Sequence, residues 1–521
     1  MKRVAPRSRQ RGLLLNPFRF GAGGAETAPT ALAFTQTDNI DYLQLLAPDL
    51  VDLDEVFAAD VGQFSRYSEG TPGTIAVSGG KMTISHAGGA NDVIRQNAVA
   101  LAIPQCWVEA WVDVTSAGTA YDNGGVGLVK DANNFIFASI DRLAGVSRIQ
   151  IKIGGANSFV ASVSQGFVSS FGVALSLVGN SACVWLNGGS GWFLSTSADI
   201  GGYYDFRNLG ALAGWGGGFT TANGGGTQVW AFSALKMGRF GAVGLRDQSI
   251  VTLEDGSPYF PTPDVVLFSA TAVDPRGVGY TGVFRLDLAS RTITQTAVIF
   301  VSRDGKAFGD LPAHIIWYAN GDRRITVSTW GNGFGGSIQA LHGLLSGVEV
   351  LEGTHLVNLS PITLPGQTGA NPGAYDTFAA YDAANARWLI AYTLVDNTNF
   401  AGNPFYAAAA WTTDWVSFGL IGKDTGHNGY EGTKILRSGG AYYILAGGPA
   451  GAGIGARIYD AAMNYLGPLN AVLHGGGDTQ PHPMVFPHGN KQVLLTFDNS
   501  RYGSAPFTWG DVEIYEAPRY A

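Results

Sequence analysis

One structural unit recurs in the second half of the chain, and this recurrence limits the fold more than any other feature. Each copy has a polar head, a short apolar strand, a turn and a second strand, and the clearest copy spans 430–445. A repeat of about fifty residues with several strands per unit is typical of a β-propeller, because a single blade cannot bury both its faces. We predict a five-bladed β-propeller over 263–521, and the heads of its five units are Asp264, Asp310, Asp376, Glu431 and His482.

The composition favours turn-rich β structure over helices or disorder. Charged residues make up only 14% of the chain, 74 of its 521 residues are Gly, and apolar residues reach 46%. Glycine and aromatic residues suit turns and strands, and the apolar content is too high for a disordered chain. The formal net charge of −8 disfavours nucleic acid as a partner.

Residues 59–241 are predicted to form an all-β sandwich. Strands with polar and apolar residues in alternation recur between short Gly-rich breaks, most clearly in Trp107–Val114 and Arg148–Ile153. Together with Gly172–Asn187 and Trp230–Met237, the first of these resembles the concanavalin-like, laminin-G-type jelly roll. That resemblance implies either a glycan-binding domain or a spacer. The acidic cluster of its calcium-binding members is not apparent in the sequence, so no metal is predicted.

The remaining segments are predicted to be an N-terminal arm and anchor (1–58) and a connector (242–262). The arm starts with several Lys and Arg residues, and apolar residues near helical spacing predict a short helix within 38–58, interrupted by Pro48. Cys106 and Cys183 lie in strand-like segments, which favours two buried thiols over one disulfide.

The sequence contains neither a membrane span nor a classical secretion signal. No stretch approaches the roughly 20 apolar residues that a spanning helix needs. The basic N-terminus is followed only by the short apolar run Leu13–Leu15 and then by Asn16-Pro17.

Three carboxylates at strand heads indicate glycosidase chemistry. In a propeller the head of each innermost strand faces the axis, which would gather Asp310, Asp376 and Glu431 in one funnel. Glycoside hydrolysis needs a general acid and a second carboxylate across the sugar, and a third can raise the pKa of the acid by like-charge repulsion. The funnel therefore has the groups that an inverting hydrolase requires.

The same residues resemble those of glycoside hydrolase family 43, the five-bladed arabinanases and β-xylosidases. Glu431-Gly-Thr resembles the acid motif of that family, Asp376-Thr-Phe its second-carboxylate blade, and Asp310-Leu-Pro its base motif. The resemblance implies that Asp310 is the base, Asp376 the pKa modulator and Glu431 the acid. Thr433 and Leu311 depart from the usual motifs. Asp264 is an alternative base, which would shift every role by one blade.

Further residues are predicted to contact substrate. Aromatic rings beside Gly-rich loops offer faces on which a sugar can stack, and His482 begins the last blade. The histidines are not at metal-ligand spacing, so no metal and no cofactor are predicted. The predicted substrate-binding residues are Trp330, Phe334, Tyr375, Tyr430, His482 and Trp509.

The segment Arg11-Gly-Leu-Leu-Leu-Asn-Pro-Phe-Arg-Phe resembles the start of tailed-phage virion proteins. This resemblance, together with the predicted sandwich and propeller that follow the segment, favours a tail fibre or spike-like protein of the virion. Such a protein would recognise host surface carbohydrate and contact other tail proteins through residues 1–58. An active glycoside hydrolase is the first alternative and a structural decoration protein the second. The sequence leaves the sugar and the presence of a homo-oligomer open.

Overall fold

The computed structural model describes eleven stretches of the chain. These are 26–40, 51–57, 62–116, 119–330, 338–367, 373–395, 405–427, 429–448, 455–474, 481–498 and 510–520. Within them nearly all regular structure is β, arranged as a two-sheet sandwich followed by a five-bladed propeller, which confirms the predicted fold class. No helix within these stretches has the length and apolar character that crossing a membrane requires.

The described part of the predicted N-terminal arm belongs to the two folded domains. A 3-10 turn at Pro29–Ala31 precedes β1 (Thr35–Ile40), which pairs with the last strand of the propeller, and β2 (Val51–Glu55) pairs with a strand of the sandwich. The helix predicted within 38–58 is wrong where the chain is described, because both strands complete the hydrogen bonds of a sheet edge. Residues 1–25 lie outside the described residues.

The sandwich contains fifteen further strands and one short helix. Their bounds are β3 (Phe64–Gly70), β4 (Thr74–Ser78), β5 (Lys81–His86), β6 (Ala90–Gln96), β7 (Gln105–Ser116), β8 (Asp122–Asp131), β9 (Asn134–Asp141), β10 (Val146–Ile153), β11 (Ala156–Ser164), β12 (Ser170–Val178), β13 (Ser181–Asn187), β14 (Trp192–Asp199), α1 (Leu209–Leu212), β15 (Gly216–Asn223), β16 (Gln228–Phe232) and β17 (Leu235–Gly238).

Two antiparallel sheets form this sandwich. One has the order β11-β10-β9-β8-β15-β6-β3, and the other has the order β14-β13-β12-β7-β16-β5-β4, with β17 and β2 added beside β7. The alternation in β7 explains its place, because Val108, Ala110 and Val112 all face the core between the sheets. Trp107, on the opposite face of β7, packs outside the sandwich.

The propeller contains the remaining strands. Their bounds are β18 (Leu245–Ile250), β19 (Val265–Val273), β20 (Gly279–Asp287), β21 (Thr292–Arg303), β22 (Lys306–Phe308), β23 (Ala313–Trp317), β24 (Arg323–Ser328), β25 (Ala340–Leu345), β26 (Gly353–Val357), β27 (Ser360–Ile362), β28 (Gly373–Asp382), β29 (Arg387–Val395), β30 (Phe405–Thr412), β31 (Gly419–Lys423), β32 (Glu431–Ser438), β33 (Ala441–Gly447), β34 (Ala456–Asp460), β35 (Tyr465–Pro468), β36 (Met484–His488), β37 (Lys491–Asp498) and β38 (Asp511–Pro518).

Five blades follow one another along the chain. Blade I is β18-β19-β20-β21-β22 with β26 parallel to β21, blade II is β23-β24-β25-β27, blade III is β28-β29-β30-β31 and blade IV is β32-β33-β34-β35. Blade V is β36-β37-β38-β1, so the N-terminal strand supplies its outer edge. The order of strands in each sheet makes β18, β23, β28, β32 and β36 the innermost strands.

Blade I begins earlier than the sequence analysis predicted. Strand β18 lies inside the segment 242–262 that was predicted to be a connector, and the strand that begins after Asp264 is the second of its blade. The sequence predicted a connector here because the strand, Leu-Arg-Asp-Gln-Ser-Ile, is polar in the middle. Pairing with β19 nevertheless makes it a blade strand.

The sandwich and the propeller share a continuous core. Trp107, Trp185 and Phe240 of the sandwich side belong to one buried cluster with Phe268 and Tyr280 of blade I. The ring centroids of Trp107 and Trp185 are 5.7 Å apart. Cys183 lies in the same cluster and Cys106 lies in the core of the sandwich, and the two are buried thiols that form no disulfide with each other, as predicted.

Candidate functional site

Three of the five innermost strands carry the same irregularity. In β18, β28 and β32 the register with the next strand shifts, so that two residues on the inner strand lie opposite one on its partner. The described pairing of β23 and β36 with their neighbours runs without such a shift. Bulges of this kind re-aim side chains and are common beside active sites. The irregularity therefore marks blades I, III and IV.

The first residue of each bulge has a left-handed backbone conformation. Its φ is 59° at Asp247, 54° at Asp376 and 66° at Gly432. Such a conformation costs a non-glycine residue on the order of 1–3 kcal/mol and persists where surrounding contacts enforce it. Glu431 precedes the third bulge by one position, so each of the three bulges brings a carboxylate to the inner end of its blade.

The Asp376 carboxylate is held by one group from its own blade and one from the next. Its Oδ2 atom accepts a hydrogen bond from the Gly432 amide at 3.0 Å and from the Thr393 hydroxyl at 3.4 Å. The backbone amide of Asp376 donates to the Ser328 hydroxyl of blade II at 3.0 Å. Blades II, III and IV thus fix this carboxylate and its backbone together.

The Asp247 carboxylate shares a histidine with Asp376. His482 Nε2 lies 3.4 Å from Asp247 Oδ1 and 3.8 Å from Asp376 Oδ2. Asp247 Oδ2 also accepts a hydrogen bond from the Thr271 hydroxyl at 2.8 Å. A Cβ atom placed on Gly432 would lie 2.3 Å from the His482 ring, so glycine allows the imidazole to sit between the two carboxylates.

The third carboxylate is oriented by a tyrosine. The Tyr375 hydroxyl donates to Glu431 Oε2 at 3.1 Å, and both residues are buried. The Tyr375 ring packs edge-on against Trp330, with 5.4 Å between ring centroids, and Trp330 is 38% exposed. An aromatic face therefore adjoins the carboxylates.

The charges of the site divide its titratable groups into different protonation states. Burial, with the negative charges of Glu431 and Asp247, raises the pKa of Asp376 to about 8. Burial also opposes ionisation of Asp247, but Arg246, His482, Thr271 and Lys434 together outweigh it and lower the pKa of that carboxyl. One carboxyl thus retains its proton near neutral pH while another is ionised, which is the arrangement that acid–base catalysis requires.

Two basic groups in the cluster have lowered pKa values. Burial lowers the pKa of Lys434 to about 8 and that of His482 to about 3, so His482 is neutral near pH 7. The Lys434 ammonium donates to the Ser249 hydroxyl of blade I at 2.7 Å. Lys434 thereby links the inner strands of blades I and IV beneath the carboxylates.

The structure brings together Asp376, Glu431, Tyr375 and His482 from the predicted site and places Trp330 beside them. Asp310 has a different environment, since both of its carboxylate oxygens accept hydrogen bonds from the Arg303 guanidinium at 2.8 Å. Asp247, which the sequence analysis missed, lies where Asp310 was expected.

The other predicted residues lie elsewhere. The alternative base, Asp264, is an exposed residue whose carboxylate lies 3.2 Å from His488 Nε2. Tyr430 is buried beneath the Arg457 guanidinium, which is 4.7 Å from the centroid of its ring. Phe334 and Trp509 lie outside the described residues.

Comparisons with known proteins give similarity to solved structures only. No family model matches the chain, and no curated protein does so. A levansucrase from Bacillus subtilis is 10% identical over 52% of this chain and 83% of its own, with a TM-score of 0.37. The carbohydrate-binding module CBM66 from Bacillus subtilis is 12% identical over 37% of this chain and 99% of its own, with a TM-score of 0.26.

A GH43 protein from Bacillus licheniformis is 11% identical over 31% of this chain and 33% of its own, with a TM-score of 0.24. With TM-scores below 0.5, these similarities support no conclusion about this chain. The strand pairing within each blade, described above, independently establishes the five-bladed arrangement.

Proposed function

We propose that the protein recognises carbohydrate at the axis of its propeller and cleaves glycosidic bonds there. One observation carries the proposal. Carboxylates from blades I and III, Asp247 and Asp376, flank one neutral histidine, and burial and neighbouring charges, that of Glu431 from blade IV included, keep these two carboxyls in different protonation states.

The environments of the carboxyls assign their roles. Asp247 has a lowered pKa and suits the ionised carboxylate that acts as base. Glu431 accepts a hydrogen bond from Tyr375 and is the proposed proton donor to the leaving oxygen. Asp376, with its raised pKa, accepts a hydrogen bond from the Gly432 amide next to Glu431 and is the proposed third carboxyl of the site. The base role that the sequence analysis gave to Asp310 is thus proposed for Asp247.

Hydrolysis of a panel of bacterial and plant polysaccharides by the purified full chain tests this proposal. Removing a general acid or base lowers turnover by about 10²- to 10⁴-fold, so Glu431→Gln and Asp247→Asn should each lose product formation to this extent. Asp264→Asn is the matched control, because this carboxylate is 58% exposed and lies at the start of β19. Wild-type product from both site variants would contradict the proposed roles.

Recognition of host surface carbohydrate without cleavage is the second proposal, and the exposed ring of Trp330 beside Tyr375 favours it. Aromatic rings offer flat apolar faces on which a sugar can stack, so Trp330→Ala should lose glycan binding. Trp411 on β30, 37% exposed, provides a control of equal size and exposure. Equal binding by Trp330→Ala and Trp411→Ala would contradict this proposal.

Placement on a phage tail remains a proposal from the N-terminal sequence. It predicts that antibodies against the propeller decorate the tails of virions, and that a chain without residues 1–25 is absent from them. Virions that incorporate the shortened chain normally would contradict an anchoring role for this segment.

A further inference from the structure

Blade V carries a second cluster of side chains that bind metals in other proteins. His474, Asp498 and Glu513 each offer one ligand atom, and these atoms all lie within 4.8 Å of one another. Glu513 lies on β38, Asp498 is the last residue of β37, and His474 follows blade IV. Because the three residues come from separate segments, no short spacing motif in the sequence indicates the cluster.

Two neutral side chains beside the cluster have unused hydrogen-bonding atoms. Thr496 of β37 and Asn39 of β1 both lie directly opposite Glu513, one on each side of β38. Directly paired residues point to the same face of a sheet, so all three side chains share one face. Thr496 is fully buried, and its hydroxyl oxygen and the side-chain oxygen of Asn39 have no hydrogen-bond partner.

Unused oxygen atoms of this kind are rare in folded proteins and need an explanation. A cation held by Asp498 and Glu513 would supply one, because both neutral oxygens would then face a positive charge.

We propose that blade V binds one divalent transition-metal cation, Zn²⁺ or Mn²⁺, through His474, Asp498 and Glu513. An imidazole with two carboxylates suits these ions, whereas Ca²⁺ and Mg²⁺ prefer oxygen ligands alone. His474 Nδ1 and Glu513 Oε1 are 2.6 Å apart and share a hydrogen bond, which a cation bound to both atoms would replace.

The site would join strands that are far apart in the sequence. Gln36 of β1 donates to Glu513 at 3.0 Å, and Glu513 also accepts a hydrogen bond from Tyr515. A metal ion held by Glu513 would therefore stabilise the edge at which the N-terminal strand completes the propeller. This role is separate from the chemistry proposed at the axis.

Calorimetric titration of the full chain, stripped with a chelator and dialysed, tests the proposal. ZnCl₂, MnCl₂ and CaCl₂ are the probes. We expect one equivalent of Zn²⁺ or Mn²⁺ to bind and to raise the melting temperature, with no such response to Ca²⁺. His474→Ala and Glu513→Gln should each abolish this binding.

His488→Ala is the matched control, because His488 also lies beside a carboxylate, that of Asp264 at 3.2 Å, and should leave binding unchanged. If Glu513→Gln does not fold, the binding measured with His474→Ala tests the proposal. This variant should fold, since the His474 side chain is 44% exposed. Failure of the wild type to bind either transition metal would overturn the proposal. So would one-equivalent binding that survives His474→Ala.

Discussion

A buried carboxyl at the contact between the sandwich and the propeller should make stability depend on pH. Asp274 follows β19, is fully buried, and its Oδ2 atom accepts from the Cys183 thiol of the sandwich at 3.9 Å. Its Oδ1 atom accepts from the backbone amides of Arg276 and Val278. Burial dominates over these hydrogen bonds and raises the pKa of Asp274 from 3.8 to about 6.

The magnitude follows from linkage between proton binding and folding. A pKa raised by about two units corresponds to about 3 kcal/mol, because each unit is worth about 1.4 kcal/mol. The folded state holds the proton more tightly, so this stabilisation is fully present below the unfolded pKa of 3.8. It is lost as the pH rises from 3.8 through about 6.

Substitution of Asp274 by Asn isolates this contribution. Asparagine keeps the oxygen that accepts from the two amides but cannot ionise. The free energy of unfolding of Asp274→Asn should therefore exceed that of the wild type at pH 7 by up to about 3 kcal/mol, and the difference should vanish near pH 4.

Urea denaturation followed by tryptophan fluorescence measures the effect, since Trp107 and Trp185 belong to the same buried cluster as Cys183. Asp264→Asn serves as the control, because its carboxylate is exposed to water. Parallel profiles of stability against pH for wild type and Asp274→Asn would refute the reasoning.

Three further predictions concern the propeller. Arg303→Ala removes both guanidinium hydrogen bonds from the buried Asp310 and should lower the free energy of unfolding by about 3–5 kcal/mol, whereas an unchanged urea midpoint would contradict a structural role for the pair. Gly432→Ala should abolish carbohydrate cleavage, because the new Cβ displaces His482 and the residue has a positive φ; wild-type turnover would contradict the proposed site. Deletion of residues 1–40 should expose the edge of β38, lower the melting temperature and promote association in light scattering, and a monomer of wild-type stability would contradict this.

Much of the fold could be predicted because local pattern and tertiary structure agree. The apolar strands that follow Asp376, Glu431 and His482 are the inner strands of blades III, IV and V, and their spacing indicated stacked blades. The N-terminal strand could not be predicted, since Thr35–Ile40 is polar and pairs only with residues at the opposite end of the chain. Pairing over such a distance leaves no local signal.

The site was predicted only in part, because some of its carboxylates lie beside a clear local pattern and others do not. Asp376 precedes the apolar residues Phe-Ala-Ala-Tyr within β28, and Glu431 begins β32, which contains Ile-Leu. Asp247 instead lies within the polar strand Leu-Arg-Asp-Gln-Ser-Ile. Asp310 has the head position of its blade, but Arg303, seven positions earlier in the chain, neutralises it. The shared bulges that distinguish the two cases depend on strand register, which a single sequence does not display.

Blade V pairs a strand that is synthesised before the sandwich with strands that are synthesised after it. During translation β1 leaves the ribosome before any strand of the sandwich, but its partner β38 follows all the other strands of the propeller. The sandwich can fold while β1 is still unpaired, with its backbone groups hydrogen-bonded to water. The ring of blades closes only when Asp511–Pro518 emerges, so a ribosome that stalls before this point leaves β1 unpaired.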